Sequence, residues 1–226
     1  MRAKIRKKEL KEPDFLQSEL AELVQFFLRH KIKLYILLTL LILAVAAAGG
    51  WYLYRLNYEK SAQKVYDQVI ILSSKSSVTQ DEINILVNGF RNVALKYPRS
   101  RASLYSYYRL GNLYLNANQP DLAIGAYSEF INKASNKNYL KVFAYMGKGY
   151  CHEIKKDFKK AMLSFEYAMK INDGDIIKGQ IYRDMARVCE QMNDRKNALE
   201  YYRKALEKTI DPIMGSIIKR KIATIN

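Results

Sequence analysis

Apolar residues along this chain follow three successive patterns. Between Phe15 and Phe27 they recur at helical spacing: Phe15, Leu16, Leu20, Leu23, Val24 and Phe27, with Glu19, Glu22 and Arg29 elsewhere on the wheel. From Leu34 to Tyr54 the alternation disappears, and 21 consecutive residues, LYILLTLLILAVAAAGGWYLY, carry no charge. Beyond Asn57 amphipathic segments return, separated by short polar or proline-containing breaks. The pattern predicts an all-α protein: one apolar helix followed by amphipathic helices that must pack on each other.

The uncharged run would be about 31 Å long as a helix, and a bilayer's hydrocarbon core is about 30 Å thick. Lys31 and Lys33 bound it on one side and Arg55 on the other, while Trp51, Tyr52 and Tyr54 suit the headgroup level. Residues 34–54 are therefore read as a transmembrane helix. A cleaved secretory signal ending at Ala46-Ala47-Ala48-Gly49 is disfavoured by a 33-residue leader and by the aromatic residues that follow. An uncleaved signal anchor fits better.

Residues 1–33 form a basic tail with nine Lys/Arg against five Asp/Glu. Flanking charges alone tie, with Arg29, Lys31 and Lys33 against Arg55, Lys60 and Lys64. Arg2, Lys4, Arg6, Lys7, Lys8 and Lys11 break the tie and place the tail in the cytoplasm. After the helix start at Pro13-Asp14, the apolar spacing predicts an amphipathic helix on anionic lipid of the inner leaflet, or a plain continuation of the span. Within the span, Ala46 and Gly50 form a small-x-x-x-small pair.

A fixed period governs the rest. The tetratricopeptide-repeat pattern has a large residue, Leu-Gly and Tyr on one helix, then Ala, an aromatic and Ala on a second, small residues marking close crossings. Residues 104–137 carry Tyr107, Leu110-Gly111, Tyr114, Ala123 and Tyr127, with Phe130 in the last alanine slot. Residues 142–175 carry Tyr145, Gly149, Ala161, Phe165 and Ala168, with Lys148 and His152 in the leucine and tyrosine slots. Residues 179–212 carry Tyr182, Met185-Ala186, Ala198, Tyr202, Ala205 and Pro212, with Cys189 in the tyrosine slot.

Ahead of these, residues 55–103 read as a linker helix and a degenerate repeat. Its first helix spans Asn57 to Leu72 and continues the membrane span. The polar break Ser73–Val78 follows, and a second helix runs from Asp81 to Tyr97, stopped at Pro98. Residues 213–226 carry Ile213, Ile217, Ile218 and Ile222 at helical spacing, a capping helix for the end of the α-solenoid.

Repeat register makes the inner faces of the first helices a groove for a protein or peptide segment. Its lining is Tyr105, Tyr108, Asn112 and Leu115, then Phe143, Met146, Tyr150 and Glu153, then Gln180, Arg183, Arg187 and Glu190. Apolar anchors running into two arginines suit a segment bearing apolar side chains and an acidic group. The competing expectation is that several of these pack on neighbouring helices instead. Tyr108 stands where a lysine of a carboxylate-clamping repeat would be, so no chaperone-tail clamp is predicted, although Asn112 matches.

Net charge of +16 leaves +12 on residues 55–226, which favours acidic protein partners or anionic lipid, or is simply a solvated basic surface. Lys155, Lys156, Lys159 and Lys160 cluster at one turn, where solvation is the simpler reading. No nucleic-acid motif, cofactor site, metal site or catalytic constellation is visible, so an enzyme is not expected. His30 and His152 have no evident ligand or triad partners. Cys151 and Cys189 fall on adjacent first helices, about 8–10 Å apart, too far for a disulfide, and are expected as buried thiols.

The order of parts resembles a bacterial family, the ancillary subunits of the SecYEG translocon. The residues that carry the resemblance are Phe26-Phe27 ahead of Lys31 and Lys33, the span end Gly49-Gly50-Trp51-Tyr52, and the exit helix Ser61-Ala62-Gln63-Lys64-Val65-Tyr66. The resemblance implies an inner-membrane anchor, a periplasmic tetratricopeptide-repeat domain, and association with the translocon and with periplasmic chaperones or substrates. A scaffold for another envelope machine, in cell division or outer-membrane assembly, remains the alternative. So does a regulator whose tail meets a cytoplasmic factor.

Overall fold

With ten glycines and four prolines in 226 residues, the chain has few helix breakers. Among the described residues it forms ten α-helices and no strand. A computed structural model describes residues 15–73, 80–171 and 174–225. The basic prefix of residues 2–11, the Pro13-Asp14 start and most of the Ser73–Val78 break lie outside them.

The chain divides between Asn57 and Tyr58 into two units. The first holds α1 (Phe15–Arg29) and the apolar part of α2 (Lys31–Ser73). His30 separates the helices without a loop: its N–H donates to Phe26 O (3.1 Å) and its carbonyl accepts from Leu34 N (3.0 Å). The expected span lies wholly inside α2, which is long and apolar enough to cross a membrane. Its side chains are exposed all round, Leu37, Leu43 and Val45 included. Among the described residues nothing in the unit covers this surface, as lipid would.

The second unit begins with the polar end of α2, from Tyr58, and α3 (Gln80–Lys96). Val69 of α2 lies against Gly89 of α3, and Tyr66 packs on Phe90 with ring centroids 5.6 Å apart. Three helical hairpins follow. They are α4 (Arg101–Asn116) with α5 (Pro120–Lys133), α6 (Leu140–Ile154) with α7 (Phe158–Ile171), and α8 (Asp175–Gln191) with α9 (Arg195–Lys208). The final helix is α10 (Pro212–Ile225). The architecture is an α-solenoid of the tetratricopeptide-repeat type with a terminal capping helix.

Helix starts follow from capping chemistry. Ser100 caps α4, its Oγ accepting from Ser103 N at 3.0 Å. Glu59 of α2 adds a carboxylate at the same terminus, accepting from Arg101 N at 3.0 Å, where the helix dipole favours it. Pro120 opens α5, and Asp194 caps α9 by accepting from Asn197 N.

The turns inside the hairpins repeat one geometry. Asn118, Lys156 and Asn193 adopt positive φ, 54°, 58° and 59°. At each turn the next residue's N–H reaches back to the first helix: Gln119 to Tyr114 O, Asp157 to His152 O, and Asp194 to Cys189 O. This is the left-handed C-terminal stop that satisfies otherwise orphaned carbonyls. Asparagine tolerates it, whereas lysine meets a Cβ clash.

Packing within each hairpin is an aromatic ring set against a small residue. Tyr127 of α5, 1% exposed, faces both Gly111 of α4 and Gly147 of α6. A Cβ on Gly111 would sit 2.5 Å from the ring, and one on Gly147 2.5 Å from Cζ. Phe165 of α7 meets Gly149 in the same way, and Tyr202 of α9 clusters with Ala186. Burial of such a ring stabilises by about 3 kcal/mol. Phe130, in the slot expected for alanine, is fully buried beside Tyr108 at 5.4 Å.

The capping helix differs in its face from the sequence expectation. Ile218 is buried and Ile222 half-buried, but Ile213 and Ile217 are 75% and 47% exposed. Met214 and Ile225 complete the packed side. Cys151 and Cys189 are free, buried thiols. Burial pushes both up to about 11, so neither is a ready nucleophile.

Two stability effects follow. Replacing Gly147 with Ala gains about 1 kcal/mol of helix propensity but drives a methyl group into Tyr127. The net expected in urea unfolding is a loss of about 1–3 kcal/mol. Conversely, Lys156→Gly relieves the left-handed strain, and a gain of about 0.5–1 kcal/mol is expected by the same measurement.

Candidate protein-binding groove

The residues expected along the groove lie on α4, α6 and α8, the first helices of the three hairpins. On α4, Tyr105 is 36% exposed and Tyr108 is half-buried against Tyr127 and Phe130. Asn112 Oδ1 accepts from Tyr127 OH at 2.7 Å, and Leu115 packs on the core. On α6, Phe143 is half-buried, whereas Met146 is 2% exposed and belongs to the core cluster of α6, α7 and α8. Met146 therefore supports the face from behind and does not line it.

Tyr150 and Glu153 meet α8 directly. Tyr150 OH donates to Asp184 Oδ2 at 2.6 Å. Arg187 donates from Nε and Nη2 to the two oxygens of Glu153, at 2.7 and 2.8 Å, and from Nη1 to Asp184 Oδ1 at 2.7 Å. Gln191 Nε2 adds a bond to Glu153 Oε1 at 2.6 Å. The Arg187–Glu153 pair has the two-pronged geometry in which guanidinium and carboxylate bind most strongly. The guanidinium also lies 5.7 Å from the Tyr150 ring centroid.

Asp184, 1% exposed, is the hub of this bridge and was not among the expected residues. It stands in register with Gly147 of the preceding repeat. Only its three-residue spacing from Arg187 signalled a pair. Burial raises its carboxyl above the usual range, against the lowering effects of Tyr150 and Arg187. Burial and the neighbouring Asp184 raise the Tyr150 phenol in turn, while the bonds to Glu153 hold Arg187 firmly protonated. Because the donors of Arg187 are engaged by Glu153 and Asp184, it offers little to an incoming acidic group although its side chain is 37% exposed.

The two ends of the face differ. The α4 end presents aromatic surface at Tyr105, Tyr108 and Phe143. At the other end, Glu190 accepts from Tyr202 OH at 2.6 Å and from Lys221 Nζ of the capping helix at 3.1 Å. Arg183, half-buried, lies beside Met214, and its contact with Asp184 Oδ1 is 3.8 Å, beyond hydrogen-bond distance. The basic turn residue Lys155 pairs with Asp121 of the preceding hairpin, and Lys160 pairs with Asp157 at 2.7 Å. Among the described residues no group of three or more His, Cys, Asp or Glu is placed to hold a metal ion.

Comparison with known proteins supports the same architecture. The model of the tetratricopeptide repeat family matches residues 179–207, the third hairpin. No curated protein is detectably similar in sequence. Among solved structures, a crystal structure of MamA aligns with TM-score 0.53 and 16% identity, over 65% of this chain and 78% of that one. MamA residues 41 to the end from Desulfovibrio magneticus RS-1 give 0.54 and 18%, over 65% and 75%. A further MamA crystal structure gives 0.54 and 14%, over 74% and 87%. At these identities the likeness establishes the fold alone, a helical repeat scaffold.

Proposed function

We propose that this protein is a membrane-anchored interaction module whose repeat domain holds a polypeptide segment against the first helices of its hairpins. The observation that carries the reading is the aromatic surface of Tyr105, Tyr108 and Phe143 on those helices. It sits in a chain that has, among the described residues, one helix long and apolar enough to cross a bilayer. Aromatic anchors backed by a packed core are the side chains that dominate protein recognition. In the finer reading, α2 spans the bacterial inner membrane, the basic tail stays in the cytoplasm on anionic lipid, and the repeats face the periplasm. There they serve the export translocon and hand exported chains to chaperones. The Gly-Trp exit from the span and the order of parts support that assignment. The same groove would serve a cell-division or outer-membrane assembly scaffold.

Photocrosslinkers placed at Tyr105 or Phe143 are expected to capture polypeptide in intact cells, with translocon components or exported chains among the adducts. Leu163, exposed on a second helix, serves as control. Equal adducts from Leu163 would remove the groove, and division or assembly proteins in place of export factors would favour the scaffold. Orientation is read separately with Lys137→Cys, on an exposed loop. A membrane-impermeant maleimide should label it in spheroplasts without lysis, while the buried native thiols stay silent. Labelling only after lysis reverses the orientation.

A further inference from the structure

The turn between α3 and α4 is bonded to the stretch of α2 on which the repeat domain begins. Arg99 N donates to Tyr58 Oη at 3.4 Å, and Arg101 N donates to Glu59 Oε2 at 3.0 Å. The Tyr97 ring meets the Tyr58 ring edge-on, with centroids 5.4 Å apart. Tyr58 follows Tyr54, the end of the uncharged run, by four residues, which reach no further than about 14 Å even when fully extended. We propose that the exposed cations of this turn, Lys96, Arg99 and Arg101, bind the headgroups of anionic phospholipid at the surface of the membrane that α2 crosses. The inference rests on the reading of α2 as a membrane span and adds a second lipid contact, made by the repeat domain itself.

Charge is segregated along these helices. Asp81 and Glu82 lie in the first turn of α3, about 20 Å of helix away from Lys96 in its last turn. No acidic residue occurs in α4. At the turn itself the carboxylate is Glu59, half-buried and bonded to Arg101 N, so three cations face one acid. Lys96 Nζ lies 5.6 Å from the Tyr97 ring centroid, a contact that leaves its charge uncompensated. None of the three side chains enters an ion pair among the described residues, and all three are exposed. Arg99 and Arg101 also stand at the N-terminus of α4, where the helix dipole disfavours positive charge. Helix stability therefore does not account for them, whereas an external anion would.

The short tether selects lipid over a soluble acidic partner. Trp51, Tyr52 and Tyr54 suit the headgroup level, and each headgroup layer adds about 5–7 Å to the hydrocarbon core. Electrostatic attraction reaches about 8 Å further at physiological salt. A surface tied so closely to Tyr54 meets headgroups at a high effective concentration, while a soluble partner must be captured from dilution. Leu95, 71% exposed beside Lys96, supplies an apolar side chain of the kind that enters the membrane interface next to cations.

The test uses the full-length chain in liposomes of phosphatidylcholine, alone or with about a third phosphatidylglycerol. A bimane fluorophore on Asn92→Cys, exposed on α3 one turn before Lys96, reports contact through quenching by lipid that carries a nitroxide on its headgroup. Quenching should rise about twofold or more when phosphatidylglycerol is present. Combining Lys96→Gln, Arg99→Gln and Arg101→Gln should abolish the rise, while Arg99→Lys with Arg101→Lys should retain it. Lys156→Gln, Lys159→Gln and Lys196→Gln together remove the same charge from other exposed sites and should leave it intact. The first triple variant should unfold at no lower temperature than the parent, since it removes charges that oppose the α4 dipole. A lower unfolding temperature would make the cations structural and overturn the inference. Equal quenching in the two membranes, a rise that survives the first triple variant, or its loss in the second also overturns it. So would protein adducts in place of lipid adducts from a photocrosslinker at Asn92 in intact cells, which would assign the cations to an acidic protein. In each of these cases resistance to alkaline extraction from both liposomes leaves the anchor reading standing. Release by alkali removes the anchor, and the lipid contact falls with it.

Discussion

Close approach of helix backbones, permitted by glycine or alanine and filled by one aromatic ring, governs this domain. Tyr127 has backbone on both sides, at Gly111 within its own hairpin and at Gly147 in the next. The same ring that closes one hairpin therefore seats its successor. Its hydroxyl is not stranded by this burial, since Asn112 accepts from it. Phe165 and Tyr202 repeat the half of the arrangement that lies within a hairpin, with Gly149 and Ala186. Everything displayed on those first helices inherits its position from these contacts.

Polar chemistry then divides the labour differently in each half of the stack. Around α4 the side-chain hydrogen bonds are separate pairs, such as Arg91 to Tyr114 and Tyr127 to Asn112, and the surface is aromatic. Between α6 and α8 a bridge of Tyr150, Asp184, Arg187 and Glu153 ties two first helices together. A buried network of this kind contributes less to net stability than its short bonds suggest, because its charges had to leave water. Its stronger effect is to specify one relative placement of the two helices. At the last junction Lys221 and Glu190 do the same for the capping helix in a more exposed setting.

Much of the fold was legible in the sequence, for a physical reason. Helical period and small-residue slots reflect which residues share a face and where helices cross, and both are local properties. The uncharged run at Leu34–Tyr54 and the hairpins around Gly111, Gly149 and Ala186 were readable on that basis. Period cannot say which neighbouring helix a face meets. Met146 shares a face with Tyr150, yet it sits in the core because α7 and α8 close over it. Asp184 occupies the slot that glycine fills one repeat earlier, and its partner Tyr150 comes from a helix 34 residues away in sequence. Ile213 and Ile217 belong to the apolar stripe of α10, but only the side holding Ile218 meets α9. In each case the missing information was a contact between distant segments.

The left-handed turn that recurs at Asn118, Lys156 and Asn193 also bears on how the domain forms. Because each hairpin is closed by a turn of the same shape, its two helices meet using contiguous chain, and extra residues are accommodated in the connections between hairpins. Contacts are thus dominated by short sequence separations, the topology that folds fastest. A chain delivered lengthwise, from a ribosome or through a narrow channel, would complete one hairpin before the next had emerged. Each finished hairpin would then offer its open face as the template on which the following one packs.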